Sequence, residues 1–408
     1  MEKINGGVTA AQGFYAACAA AGIKYEKRVD MAMVYSTAPC ICAGTFTTNI
    51  VKAAPVVWDQ KIVKEIGSAQ AVVVNAGIAN ACTGPEGMKC CKETARAAAQ
   101  ELSISEDAVL VASTGVIGMG LPMEKIKAGI RMMKPLLCDT IEAGTAASKA
   151  IMTTDTHNKE IAVSFMAGGK TVILGGMCKG SGMIHPNMCT MLGFLTTDLA
   201  IDKELLQEAL SEDIKDTFNM VTVDGDTSTN DTVLLLANGL AGNPKITKKN
   251  QDYYEFIKAL RTVNEFLAKS MAADGEGATK LFEVKVIHAQ DKAQAVKLAK
   301  SVASSSLVKT MVYGNDANCG RIFCAMGYSG EQFDPEKVDL YIESAEKGKL
   351  KLAENGMVLK FSEELAKEIL SAKEVTAIAD VKAGDACATA WGCDLTHGYI
   401  DINADYRS

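Results

Sequence analysis

Apolar positions along this chain recur at two spacings, and the changes from one to the other mark its elements. Short apolar runs bounded by Gly, Pro, Asn or Thr predict strands at Met31–Tyr35, Ala43–Phe46, Pro55–Trp58, Ala71–Asn75 and Ala108–Ala112. Further strands are expected at Ala162–Met166, Thr171–Met177 and Met191–Leu195, at the alternating Phe282, Val284 and Val286, and at Val338–Glu343 and Met357–Lys360. Helical spacing marks Ala10–Ala21, Gly87–Leu102, the set Leu206, Leu210 and Ile214, the set Phe256, Leu260, Val263 and Leu267, then Ala295–Ala303 and Glu363–Leu370. From position 233, VLLLANG fits a helix or a strand equally. Gly168-Gly169-Lys170-Thr171 imitates the tail of a phosphate-binding loop. Position 164 is serine, however, and the motif joins strand to strand, so it reads as a hairpin.

Composition narrows the class. With 408 residues, 48% hydrophobic and 22% charged, the chain can bury a large core, as two or three domains or one two-lobed unit. A net charge of -7 and a pI near 5.4 leave no basic footprint, which argues against nucleic acid and anionic membranes as partners. No run of eighteen apolar residues occurs, and the N-terminus has no basic start, so the expected location is the cytoplasm. There the thirteen cysteines are expected to be reduced and mostly buried. Cys40-x-Cys42 and Cys90-Cys91 lack the gap and second half-site of a zinc centre, and the four histidines are scattered, so no metal is expected. VTVDGDTSTNDT (221–232) resembles a calcium loop superficially, but it lacks glycine at the sixth position and has Leu235 where the bidentate glutamate belongs.

The chemistry concentrates at KGSGMIHPNMCTMLGFLTTD, from Lys179 to Asp198. A glycine-flexible segment runs through Pro186-Asn187 into the apolar run at Met191, which puts Thr190 at a loop-to-strand junction. Self-cleavage suits such a place: the Thr190 hydroxyl attacks the Cys189 carbonyl, the amide becomes an ester, and water frees a new amino terminus. That α-amine, with a pKa near ~7.7–8.0, can serve as general base for its own hydroxyl. On spacing alone, Thr190 simply begins a core strand. STGVIGMGLP (113–122) follows a strand, and its glycine turns can aim backbone N–H groups at one point, or merely form a turn capped by Thr114. Glu276 lies between two glycines in ADGEGATK (273–280), where it can approach a ligand or remain a solvated turn carboxylate.

Resemblance decides between these readings. KGSGMIxPNMxTML with its following Thr-Asp pair resembles the signature of the ornithine acetyltransferase (glutamate N-acetyltransferase) family of arginine biosynthesis, whose members cleave before that threonine. The likeness extends through GGVTAAQGFYAACAAAGIK (6–24), AGTFTTNIVKAAPV (43–56), VDGDTSTNDT, GNDANCGRI (314–322) and the C-terminal ATAWGCDLTHGYIDINADYRS (388–408). Three positions depart from the family: Ile78 for asparagine, Cys189 for alanine and Cys319 for tryptophan. The chain also ends in Ser408 where the family more often has threonine.

The resemblance implies an α/β fold, two-lobed, with mixed β-sheets and flanking helices, cut into residues 1–189 and 190–408. Two such pairs are expected to assemble. It further implies a ping-pong acetyl transfer from N-acetylornithine to glutamate on Thr190. Thr114 and Gly115 form the oxyanion hole, and Thr153, Lys179, Glu276, Asn403 and Ser408 bind substrate. No cofactor is implied; acetyl-CoA is a possible second donor. The rivals are an amidohydrolase or aminopeptidase with the same nucleophile, an uncleaved binding protein with Thr190 in its core, and Cys189 as the nucleophile. His185 precedes a proline, and solvation is the expectation for it.

Overall fold

The computed structural model describes residues 1–185 and 191–405, which form two compact units. The first takes residues 1–180, 191–219 and 227–267 of those described; the second takes 181–185, 220–226 and 268–405.

In the first unit the chain forms β1 (Glu2–Ile4), β2 (Phe14–Ala19), β3 (Met31–Phe46), α1 (Ala54–Lys61), β4 (Ser68–Ile78), α2 (Gly84–Leu102) and β5 (Val109–Val116). It continues with α3 (Met123–Met133), α4 (Ile141–Ala150), β6 (Lys159–Ala167), β7 (Lys170–Lys179), β8 (Leu192–Thr197), α5 (Lys203–Lys215), β9 (Thr232–Ala237) and α6 (Gln251–Ala273) as far as Leu267. Among the described residues the strands make a nine-stranded sheet, ordered β1-β6-β7-β8-β9-β3-β4-β5 with β2 also on β3. The sheet is covered on both faces, and its pleat sorts the side chains. Val72, Val74, Leu110 and Ala112 pack with Ala147 and Ala150 of α4. Their neighbours Ala71, Val73, Val109 and Val111 pack with Ala95 and Ala98 of α2 and Ile126 and Ile130 of α3.

The second unit adds β10 (Leu281–Ala289), α7 (Lys292–Ser304), α8 (Ser306–Gly314), α9 (Cys319–Gly327), β11 (Asp339–Ser344), β12 (Gly348–Glu354), β13 (Met357–Val358), α10 (Glu363–Leu370), β14 (Glu374–Asp380), β15 (Ala386–Cys393) and α11 (His397–Ala404). Its sheet, ordered β13-β12-β11-β14-β10-β15, pairs β10 parallel to β14 and antiparallel to β15. The fold is therefore α/β with two mixed sheets and flanking helices.

Most sequence expectations hold, and three are corrected. Gly168 and Gly169 form the expected hairpin turn, both at positive φ (54° and 76°), as a two-residue loop between twisted strands requires. VLLLANG becomes β9, wholly buried and parallel to β8. Ala10–Ala21, expected as a helix, instead contains strand β2, because pairing with β3 (Ala16 opposite Val34) overrides its alanine-rich helix propensity. Pro55–Trp58, expected as a strand, lies in α1, where Pro55 occupies the first turn and needs no N–H partner. Finally, Ser113-Thr114-Gly115 does not form a turn: β5 continues through it to Val116.

Candidate active site

The first unit builds two features from the expected site residues. At the end of β5, Gly115 has φ +126°, and a Cβ there would meet the C and O of Gly77 at 2.3 and 2.4 Å. Only glycine fits, because β4 and β5 close on each other where their register shifts at Gly77 and Ile78. Two buried asparagines fix this junction. Asn75 donates to the Ile78 carbonyl (2.8 Å) and accepts from the Ser113 hydroxyl (2.6 Å). Asn230 donates to the carbonyls of Ala79 (2.5 Å) and Ser113 (2.8 Å). Each amide satisfies groups that would otherwise be orphaned in the interior. Half-buried Thr114 is thus held on both sides, and its hydroxyl has no hydrogen-bond partner among the described residues. Ile78 is buried in the apolar cluster beside α2, and the Asn75 amide binds its backbone rather than its side chain.

The second feature brings Thr153 and Lys179 together: Lys179 Nζ donates to Thr153 Oγ1 at 2.7 Å. Behind them lies Asp155, whose side chain is fully buried. Its Oδ1 accepts from Lys159 Nζ (2.8 Å) and the Gly180 N–H (2.7 Å), while its Oδ2 accepts from the Thr153 N–H (3.0 Å) and lies 3.7 Å from Lys179 Nζ. Burial works to raise the Asp155 pKa, but the charges of Lys179 and Lys159 and the hydrogen bonds outweigh it and hold the carboxyl well below the usual range. One carboxylate therefore sets the backbone on both sides of the Thr153–Lys179 pair.

The second unit holds the other expected pair. Glu276 is buried, at 6% exposure, which excludes the solvated-turn reading. Its N–H donates to the Ser181 carbonyl (3.0 Å), and its Oε2 accepts from Asn403 Nδ2 at 2.7 Å. A Cβ on Gly182 would meet Glu276 Oε2 at 2.2 Å, and one on Gly277 (φ +71°) would meet the Tyr399 nitrogen at 2.5 Å. Glycine at 182 and 277 thus makes room for the carboxylate and for α11, as the spacing around Glu276 suggests.

Asp224, which the sequence reading left unassigned, accepts from the N–H groups of Met183 (2.6 Å) and Ile184 (2.8 Å) and from the Tyr399 hydroxyl (3.3 Å). His185 is half-buried rather than solvated: its Nδ1 lies 2.9 Å from Thr222 Oγ1. Burial, helped by the positive charge of Lys300 and opposed by Asp224, lowers its pKa to about 4, so it is neutral near pH 7. Cys319 is buried at the start of α9. Thr190, Cys189 and Ser408 lie outside the described residues.

Asn75, Asp155, Asp224 and Asn230 are the supporting residues that the sequence reading missed. Asp224 and Asn230 lie within the VTVDGDTSTNDT motif, but a polar residue in a motif does not announce which backbone it will hold. No helix among the described residues is long and apolar enough to cross a membrane.

The sequence matches the profile of the ArgJ family over residues 15–408. It is 52% identical over 410 residues to the arginine biosynthesis bifunctional protein ArgJ of Symbiobacterium thermophilum, with 100% of each chain covered. Identity to the protein of that name from Caldanaerobacter subterraneus subsp. tengcongensis is 49% over 408 residues, again with 100% of each chain covered. A crystal structure of the arginine biosynthesis bifunctional protein of Bacillus halodurans superposes with a TM-score of 0.50 at 47% identity, covering 53% of this chain and 99% of that one.

Proposed function

Because the chain belongs to the ArgJ family, we propose that it is an acyltransferase that moves an acetyl group from N-acetylornithine to glutamate on the hydroxyl of Thr190, after cutting itself between Cys189 and Thr190. The observation that carries this reading is identity near one half along the full length of relatives named for arginine biosynthesis.

In the first half-reaction Thr190 Oγ attacks the acetyl carbonyl and its own α-amine takes the hydroxyl proton. The oxyanion rests against donors at Thr114 and Gly115, and the proton passes to the departing nitrogen of ornithine. In the second, the glutamate α-amine attacks the acetyl ester, N-acetylglutamate leaves, and Thr190 regains its proton. Lys179 and Thr153 take a substrate carboxylate, Glu276 and Asn403 an amine, and Ser408 completes the substrate contacts. Acetyl-CoA can load the same hydroxyl, which accords with the word bifunctional in the relatives' names.

Sheet geometry supports both the cut and its survival. Lys179 and Leu192 are register partners, so the chain leaves and re-enters the first unit's sheet at adjacent positions, with Thr190 two residues before re-entry. Downstream of the cut, β8 pairs with β7 and β9 pairs with β3, both upstream. Two downstream strands thus lie inside an upstream sheet, and their buried leucines, worth about 1.5–3 kcal/mol each, resist separation. The Bacillus halodurans chain, covering 53% of this one while itself 99% covered, has the share expected of residues 190–408. We expect two chains of each kind in the assembled cytoplasmic enzyme.

Intact mass under denaturing conditions tests the cut: two fragments are expected, one beginning Thr-Met-Leu-Gly, and none in Thr190→Ala, which should lose about 10⁴-fold or more in activity. A single persisting chain would sink the terminal-amine mechanism. Release of ornithine without glutamate would make water the acceptor and remove the transferase reading.

A further inference from the structure

Lys24 in the first unit has its Nζ buried from solvent with no hydrogen-bond partner among the described residues. Among the described residues its ammonium lies over the Tyr25 ring face, 4.7 Å from the ring centroid, which offsets only part of what removing an ammonium from water costs. A buried polar group left unpaired in a native fold calls for an explanation.

The position of Lys24 supplies one. A Cβ on Gly77 would lie 3.2 Å from Lys24 Cβ, and Gly77 is the residue against which Gly115 closes. On the other side, the Tyr25 ring lies 6.0 Å from the Arg28 guanidinium, whose Nη2 donates to the carbonyls of Met152 (2.7 Å) and Thr153 (3.0 Å). Asp30, also buried, fixes the intervening loop by accepting from the N–H groups of Ala21 (2.8 Å) and Ile23 (2.6 Å). Lys24 is thus an uncommitted cation whose Cβ lies against the Gly77–Gly115 junction and whose neighbour Tyr25 faces Arg28, the residue that holds the Thr153 carbonyl. Arg28, by contrast, spends hydrogen bonds on backbone carbonyls.

We propose that Lys24 is an anion-binding residue of the site and determines specificity for the acceptor, pairing with the second carboxylate that glutamate carries and ornithine lacks. This rests on the acetyl-transfer reading, in which Lys179 and Thr153 answer the carboxylate that both amino acids share. Lys24 then distinguishes the two half-reactions: it matters when a dicarboxylate enters and is silent when ornithine leaves or returns.

The test uses the full, self-cleaved enzyme and its Lys24→Met variant. Exchange of labelled ornithine into N-acetylornithine reports the first half-reaction alone, and glutamate-dependent ornithine release reports the whole. The expected result is a glutamate KM raised by about tenfold or more, with exchange changed by less than about twofold, and recovery of most of the loss in Lys24→Arg. An unchanged glutamate KM overturns the proposal. So does an equal loss in both half-reactions, or a loss confined to acetyl-CoA as donor, which would assign the lysine to phosphate. Should Lys24→Met fail to accumulate in folded form, Lys24→Gln takes the same assays. If the acetyl-transfer reading itself is wrong, the unsubstituted enzyme performs neither exchange nor transfer.

Discussion

The two units hold their carboxylates in opposite ways. In the first, Asp155 is buried between Lys159 and Lys179 and is held ionised by their charges. In the second, Glu276 and Asp224 are held by neutral donors: the Asn403 amide, two backbone N–H groups and the Tyr399 hydroxyl. The difference teaches what each region can offer a ligand. Around Asp155 the carboxylate is consumed in support, and Lys179, hydrogen-bonded among the described residues to the Thr153 hydroxyl and 3.7 Å from the carboxylate, is the cation proposed to meet an incoming carboxylate. Around Glu276 the described residues supply a neutral amide donor and no cation, which suits the proposed role of the carboxylate as the partner of a ligand ammonium.

Breaking the charged arrangement should cost most. Asp155→Asn leaves two lysines without their shared anion, and an expected loss of about 3–5 kcal/mol is measurable by denaturant unfolding. Its pH dependence has a definite sign. The folded-state pKa lies below the unfolded value near ~3.9, so the stabilisation is fully present above that value and is lost as pH falls through the folded pKa. The gap between the parent protein and Asp155→Asn should therefore be constant from neutral pH to about pH 5 and shrink below about pH 4. A gap that stayed open in acid would mean that shape, not charge, is what Asp155 provides.

A middle-sized effect is expected at the neutral-donor site. Glu276→Gln keeps the size and an acceptor for Asn403 but removes the charge, so KM should rise about 10- to 100-fold while self-cleavage and stability change little. A loss of stability comparable to that of Asp155→Asn would erase the distinction between the two regions. Asp224→Asn is the smallest change. It retains one acceptor oxygen for the Met183 and Ile184 N–H groups and should cost about 1–2 kcal/mol in thermal or denaturant unfolding, with slower cleavage as the loop before Pro186 loosens.

The contrast also marks how far the site was legible. Glu276, Asn403, Thr153 and Lys179 came from motif resemblance, and the structure joins them as two hydrogen-bonded pairs. Asp155 carries no role legible in the sequence, because its partners Lys179 and Gly180 lie more than twenty residues on. Nothing local distinguishes a carboxylate that will be buried from one that will be solvated. STGVIGMGLP suggests glycine turns from its start, whereas β5 runs on to Val116 and Gly115 is needed for a close approach between strands.

By itself the sequence determined the buried strands β6 to β8, the Gly168-Gly169 hairpin and the amphipathic helices, since apolar periodicity and turn chemistry act over a few residues. It also determined the residue types that the chemistry needs. Tertiary structure decided that the alanine-rich segment around Ala16 would be a strand, because β3 offered a ladder worth more than helix propensity. It also decided that Glu276 would be buried against Asn403, 127 residues away, and that two strands downstream of the proposed cut would sit inside a sheet built upstream of it. Pairings at such separations depend on which surfaces the folded chain brings together, and no short window of sequence contains both partners.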